Sequence, residues 1–286
     1  MTMRRWDVGG DLSVARIGYG AMKLTGWPRG DRPGRETALA VLRRAVELGV
    51  NHIDTSNYYA RDGVAANDLI REALHPYPDD LVIVTKVGAL VEGSDVALPA
   101  HEMTGLTPGN LRRAVEANLR TLGVSRLDVV NLRMGDRGRG HIPLTGPLET
   151  LLALRDEGLI RHLGVSNVTA AEFAQAREIA PIACVQNHYN LARRQDDPLV
   201  DACAAAGIAY VPYFPVGGFR PITAERLHAV AARHGATAPQ VALAWLLARS
   251  PNVLPIPGTG SLDHLEENVA AGELRLSEED LADLAA

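Results

Sequence analysis

Lysine is almost absent from this chain, so its positions carry information. Of 29 basic residues in 286, only Lys23 and Lys86 are lysine; the other 27 are arginine. Arginine stays protonated at any working pH, whereas lysine is a compact ammonium that loses its proton when buried. Lys86 closes the apolar run L-V-I-V-T-K at 81–86. A strand-end lysine in solvent is the plain alternative, but the scarcity of the residue favours chemistry. That chemistry is either a Schiff base or an ammonium that depresses a neighbouring pKa. Asp54 ends N-H-I-D at 51–54, and Tyr58 and Tyr59 follow in a polar loop of a chain that is only 5% aromatic. One of the two tyrosines alternatively only packs against a neighbouring loop. A tyrosine beside an ammonium has its phenolate favoured, and its pKa falls from about 10. Asp54, Tyr59 and Lys86 together would form a tuned general acid, able to give a proton to an alkoxide. Lys23 is the weaker candidate.

These groups meet only if strand ends bring them together. Candidate strands lie at 16–20, 51–54, 81–86, 127–132, 162–166, 182–186, 208–213 and 253–256, several of them short and rich in Val and Ile, as parallel strands covered on both faces are. Amphipathic helices fit 36–48, 65–74, 107–122, 147–157, 169–178, 198–206, 223–234, 238–249, 261–271 and 277–285. Thr107-Pro108 reads as a helix start, and Thr169 with Glu172 as a capping box. Ahead of them, R-R-W-D-V-G-G-D-L-S-V-A reads as a hairpin turning at Gly9-Gly10. The alternation predicts an α/β fold: a (β/α)8 TIM barrel with an N-terminal β-hairpin and extra C-terminal helices, spanning 1–286 as one domain. An open doubly wound sheet is the runner-up. It would usually show G-x-G-x-x-G opening a helix, whereas Gly18-Tyr19-Gly20-Ala21-Met22 opens none. Long loops are expected at 88–106 and 134–146.

Composition narrows the classes. At 47% hydrophobic the chain can bury a large core. A net charge of −5, with arginine scattered, argues against nucleic acid as a partner. The apolar run 241–248 is too short for a bilayer, and the N-terminus lacks the apolar stretch of a secretory signal. Cys184 and Cys203 make no disulfide or zinc framework. A cytoplasmic protein without metal is expected, as a monomer or weak homo-oligomer.

At this point the sequence resembles the aldo-keto reductase family. D-T-S-N-Y-Y (54–59) matches its D-T-A-x-x-Y, with Tyr59 at the catalytic tyrosine, and V-T-K (84–86) matches its lysine strand. G-V-S-N (164–167), V-Q-N-x-Y-N (185–190), Y-F-P-V-G-G (213–218), I-P-G-T-x-S (256–261) and E-E-N (266–268) match its cofactor stretches in order. The resemblance implies a barrel that binds NADP(H). By matching position, Ser166, Asn167 and Gln186 would hold the nicotinamide carboxamide, and Tyr213 would stack on the ring. Pro215, Val216 and Gly218, with Phe214 in the same stretch, would line the pyrophosphate. Thr259, Ser261, His264, Glu267 and Asn268 would surround the adenosine end. Gly258 stands where the family usually has a lysine, and His264 where it often has an arginine; both commonly contact the 2′-phosphate.

The fourth catalytic position departs from the family. Its D-L-x-L-x-H strand reads here D-V-V-N-L-R (128–133), so Arg133 replaces histidine. A guanidinium is a permanent cation with five donors. It would favour a developing alkoxide or bind an anionic group beside the carbonyl; pairing with Asp136 is the plain alternative. Met22, Trp27, Tyr58 and Met134 are expected to face the substrate. Several runs resemble a bacterial subgroup that reduces pyridoxal to pyridoxine with NADPH, which is the expected reaction. Reduction of a keto-sugar or polyketide, a Schiff-base lyase using Lys86, and a non-catalytic NADP(H)-binding regulatory barrel are the alternatives.

Overall fold

The computed structural model describes residues 4–28, 30–88, 105–134 and 143–285. Within them the predicted hairpin forms from β1 (Arg5–Val8) and β2 (Leu12–Ala15), paired antiparallel. Gly9 and Gly10, at φ 66° and 85°, make its turn in backbone space that other residues rarely enter. A seven-stranded parallel sheet follows in sequence order: β3 (Tyr19–Gly20), β4 (His52–Asp54), β7 (Val82–Val87), β8 (Leu127–Arg133), β9 (Ile160–Ser166), β10 (Ile182–Gln186) and β11 (Ala209–Tyr210). A small hairpin, β5 (Ala60–Arg61) with β6 (Val64–Ala65), sits after β4 and was not foreseen.

The eighth predicted strand, 253–256, is not a regular strand, and the reason is chemical. Pro255 and Pro257 have no N–H to donate. The segment nevertheless closes the ring from both sides. Tyr210 donates to Asn252 O at 2.8 Å and accepts from Leu254 N at 2.9 Å, while Gly18 N donates to Pro255 O at 3.0 Å. Pro212 likewise ends β11 early, against the predicted 208–213. A five-residue 3₁₀ turn, Ala21–Thr25, opens where no helix was expected after the first strand.

The helices are α1 (Arg35–Glu47), α2 (Ala66–Leu74), α3 (Pro108–Leu122), α4 (Thr145–Asp156), α5 (Ala170–Ile179), α6 (Asp197–Ala205), α7 (Glu225–Arg233), α8 (Ala238–Arg249), α9 (Leu262–Ala270) and α10 (Glu278–Ala285). Their starts follow side-chain chemistry. Thr107 caps α3, and full capping boxes form at Thr169/Glu172 and Thr237/Gln240. Ala38, Val41, Leu42 and Ala45 bury the stripe of α1. The apolar run 241–248 lies in α8, and no helix among the described residues is long and apolar enough to cross a membrane.

The hairpin plugs one end of the ring. Its Val8, Leu12 and Val14 share an apolar cluster with Val82, Val129, Ala209 and Leu254 from the sheet. Asn51, just before β4, accepts from Ala15 N at 2.7 Å, and Asp11 meets His162 near the start of β9 at 2.6 Å. Both anchors stand at strand beginnings, so the opposite, C-terminal mouth stays open. Active sites of this architecture are built there. The predicted long loops 88–106 and 134–146 lie largely outside the described residues.

Candidate active site

Strand alternation delivers the predicted residues to one place. Asp54 ends β4, Lys86 stands one residue before the end of β7, and Arg133, Ser166 and Gln186 end β8, β9 and β10. All five line a cleft of about 290 Å³ at the open mouth, the scale of a small-molecule site.

Lys86 Nζ lies 2.5 Å from Asp54 Oδ2, both side chains at most 5% exposed, and donates also to Thr55 O at 3.0 Å. Asp54 Oδ1 accepts from Gln186 Nε2 at 2.7 Å. The amine nitrogen is engaged by Asp54 and Thr55 rather than presented to a carbonyl, which disfavours the Schiff-base alternative because that chemistry needs a free amine. The ammonium sits 5.0 Å from the centre of the Tyr59 ring. Tyr59 packs with Tyr58 at 5.2 Å and with Trp27 at 5.3 Å between ring centres.

The expected depression of the Tyr59 pKa by Lys86 is not what the site shows. Burial first, then the Asp54 charge, push the phenol well above its ordinary range, and Arg133 is the cation that opposes them. The reason is local neutralisation: Lys86 spends its charge on Asp54. Tyr58 is also pushed up, chiefly by burial. Arg133 makes no ion pair or side-chain hydrogen bond with any described residue, and Asp136, its suggested partner, lies outside them.

Of the expected substrate-facing residues, Met22, Trp27 and Tyr58 line the cleft; Met134 does not. Its side chain is buried in the core behind β8, because the residue after an inward Arg133 turns outward.

Two of the expected cofactor stretches have unusual backbone. Asn167 and Phe214 adopt positive φ, 60° and 54°, conformations that persist only where surroundings enforce them. Tyr213 Oη donates to Asn167 Oδ1 at 2.8 Å. Tyr213, Phe214, Pro215, Val216 and Gly218 line the cleft with Gly258. Gln186 Oε1 is buried without a partner among the described residues, an acceptor left for a donor such as a carboxamide N–H. A Cβ at Gly20 would lie 2.7 Å from Ile256 O, and one at Gly258 2.6 Å from Gly20 O, so two bare backbones line the cleft side by side. These features fit a nicotinamide dinucleotide. Thr259, Ser261, His264, Glu267 and Asn268 lie beyond the cleft lining, on the loop after Gly258 and on α9. Ser261 caps that helix by accepting from His264 N.

The weaker lysine candidate also contributes, together with a buried amide network that had no signal in the sequence. Lys23 lines the cleft, its stem 3.6 Å from where a Gly258 side chain would start, and its Nζ lies 4.8 Å from the centre of the Phe219 ring. Behind β4 and β7, Thr55 and Thr85 bond to Asn67 and Asn118, and those two amides bond to each other at 3.0 Å. This buried network fixes the strand ends that carry Asp54 and Lys86.

A parallel barrel with an aspartate, lysine, tyrosine and arginine at its C-terminal mouth defines a class of carbonyl–alcohol oxidoreductase scaffold. The chain belongs to the aldo/keto reductase family, whose model matches residues 16–286. It is 54% identical over 283 residues to pyridoxine 4-dehydrogenase of Escherichia coli, covering 96% of this chain and 95% of that protein. Among solved structures, an aldo-keto reductase of Klebsiella pneumoniae in complex with NADPH superposes with a TM-score of 0.80 at 30% identity, covering 99% of this chain and 94% of that one. A thermostable aldo-keto reductase in complex with the inhibitor epalrestat gives 0.83 at 30% identity, covering 99% of both chains.

Proposed function

We propose that this protein is an NADPH-dependent reductase of pyridoxal to pyridoxine, working as one cytoplasmic barrel domain. The observation that carries the reading is the buried Asp54–Lys86 pair beside Tyr59, with Arg133, which has no carboxylate partner among the described residues, at the same mouth. The high identity to a pyridoxine dehydrogenase supports the substrate. Two free, buried cysteines suit a reduced compartment.

Bound NADPH supplies the hydride that reaches the carbonyl carbon. Tyr59 gives its phenolic proton to the carbonyl oxygen. Arg133 stabilises both the negative oxygen of the substrate and the phenolate left behind, because it opposes the rise in the Tyr59 pKa and, unlike Lys86, has no carboxylate partner among the described residues. Lys86, oriented by Asp54, packs its Nζ 5.0 Å from the centre of the tyrosine ring and fixes the ring's place. Trp27 and Tyr58 form the aromatic wall against which a pyridine ring would stack. Gln186, Ser166 and Asn167 hold the carboxamide, and Gly20 with Gly258 lets the dinucleotide lie against bare backbone. Thr259, Ser261, His264, Glu267 and Asn268 receive its adenosine end.

Pyridoxal carries an ionisable 3-hydroxyl next to its aldehyde, and a planar guanidinium can bridge the two oxygens. Arg133→His should therefore lower kcat/KM for pyridoxal about tenfold or more while changing benzaldehyde reduction much less. NADPH oxidation followed by absorbance reads both. Equal losses overturn the phenolate role; no oxidation of NADPH by the wild-type protein with any aldehyde or ketone overturns the function.

A further inference from the structure

A second cavity, of about 190 Å³, lies away from the cleft, between the start of the chain, the end of α1, α8 and α9. Three arginines line it: Arg4, Arg16 and Arg275. Its walls include the apolar side chains of Ile17, Leu48, Leu247 and Val269.

Arg16 is the informative member. Only 5% of it is exposed, yet no described carboxylate pairs with it. Its Nε and Nη2 bond to carbonyls at and beyond the end of α8, Nη2 reaching Ser250 O at 2.5 Å and Leu247 O at 2.9 Å. Those bonds explain half of the fork. Nη1 makes no hydrogen bond to a described residue. A buried cation without a counter-charge is costly, and here a second one stands near. Burial and then the Arg4 charge depress the Arg16 pKa to about 10. Capping α8 needs neither Arg4 nor Arg275. Two carboxylates also touch the cavity. Glu266 is already paired with Arg44 at 2.8 Å, which leaves Glu273 against three arginines.

We propose that this cavity binds a phosphate monoester with a compact apolar body. Among the described residues, three arginines against one carboxylate without an ion-pair partner leave two positive charges, the complement of a phosphate monoester at neutral pH, about −1.5 to −2. Guanidinium forks match phosphate oxygens in pairs. The apolar walls take the organic part. A carboxylate would leave one positive charge uncompensated.

Calorimetric titration of the whole protein, saturated with NADPH so that the cleft is filled, tests the assignment with phenyl phosphate, inorganic phosphate and benzoate. Phenyl phosphate should bind best of the three. Arg4→Gln together with Arg275→Gln, both exposed side chains, should weaken it about tenfold or more without loss of fold. Arg133→Gln in the cleft should leave that affinity unchanged. The proposal is overturned if phenyl phosphate does not bind, or if Arg133→Gln abolishes binding. It is also overturned if the double variant binds as well as wild type, if benzoate binds as tightly, or if inorganic phosphate alone matches the ester. The readout is independent of turnover, so failure of the reductase reading would not disturb it.

Discussion

Two cations at the cleft divide the work that one was expected to do. Lys86 is tied to Asp54 and Thr55, and Arg133 acts on the phenol. A phenol held above its ordinary value keeps its proton through neutral and mildly alkaline pH, so reduction should retain its donor below about pH 10. A kcat profile falling with an apparent pKa near 7 to 8 in the alkaline direction would sink this account. Tyr59→Phe should cost about 10²- to 10⁴-fold in kcat with NADPH affinity kept, as loss of a general acid does; fluorescence titration and turnover separate the two. Lys23 is the other residue with a specific expectation. A Cβ at Gly258 would meet the Gly20 carbonyl, and Lys23, in the 3₁₀ turn after β3, lies beside it on the cleft wall. Lys23→Ala should raise KM for NADPH about tenfold and leave NADH nearly unchanged; an equal rise with both cofactors would show that the lysine does not read the phosphate. Much of this site was legible, because Asp54, Lys86, Arg133, Ser166 and Gln186 all stand at strand ends, and alternation decides which way such residues face. The same rule, applied one residue further, would have removed Met134. Lys23 beside Gly258 was not legible, since their approach is made where the first and last staves of the ring meet, far apart in sequence, and no local pattern encodes it.

Elements were legible where local chemistry decides them and lost where closure does. The helix starts at Thr107 and Thr169 follow from caps, and the stripe of α1 from its period. The last stave, 253–257, looks like a strand by its apolar residues, yet its prolines leave only a few ladder bonds, so it closes the ring without regular pairing. One buried carboxylate gathers several bonds in the satellite layer of α7 and α10. Asp280 accepts from His234 Nε2 at 2.8 Å, from Ser277 N at 2.9 Å and from Arg233 at 2.7 Å. The His234 bond first, and then the Ser277 N–H, hold its pKa well below the usual carboxylate range. A depressed folded-state value means stabilisation that is fully present above the unfolded value of about 3.8, and lost as pH falls through the folded value. Asp280→Asn should therefore cost about 2 kcal/mol at neutral pH in urea unfolding and flatten the acid limb of stability below about pH 4. An acid limb as steep as that of wild type would place the sensitivity elsewhere.

Across the whole molecule, the barrel closes only because several inward positions carry no side chain. A Cβ at Gly18 would meet the His52 ring at 2.1 Å, and those at Gly20 and Gly258 would meet facing carbonyls. Gly164, on β9, is the most crowded from several sides: its Cβ would lie 2.0 Å from Asn131 Oδ1, 2.6 Å from Cys184 Sγ and 2.9 Å from Cys184 O. Asn131 and Cys184 are themselves bonded across that gap at 3.0 Å, so one methyl displaces a buried hydrogen bond and the neighbouring backbone together. Ring geometry gives such a clash no escape, because each strand is held on both sides and the hairpin plugs the end. Gly164→Ala should therefore cost about 3 kcal/mol, the upper part of the range for overpacking a tight core. Gly146→Ala is the matched control: nothing lies within 4 Å of its Cβ, near the start of α4, and it should be neutral or stabilising by less than about 1 kcal/mol. Urea midpoints at unchanged slope measure both. A Gly164→Ala protein within about 0.5 kcal/mol of wild type would mean that the ring relaxes at β9, and that close packing inside the barrel does not set the positions of Asp54, Lys86 and Arg133 above it.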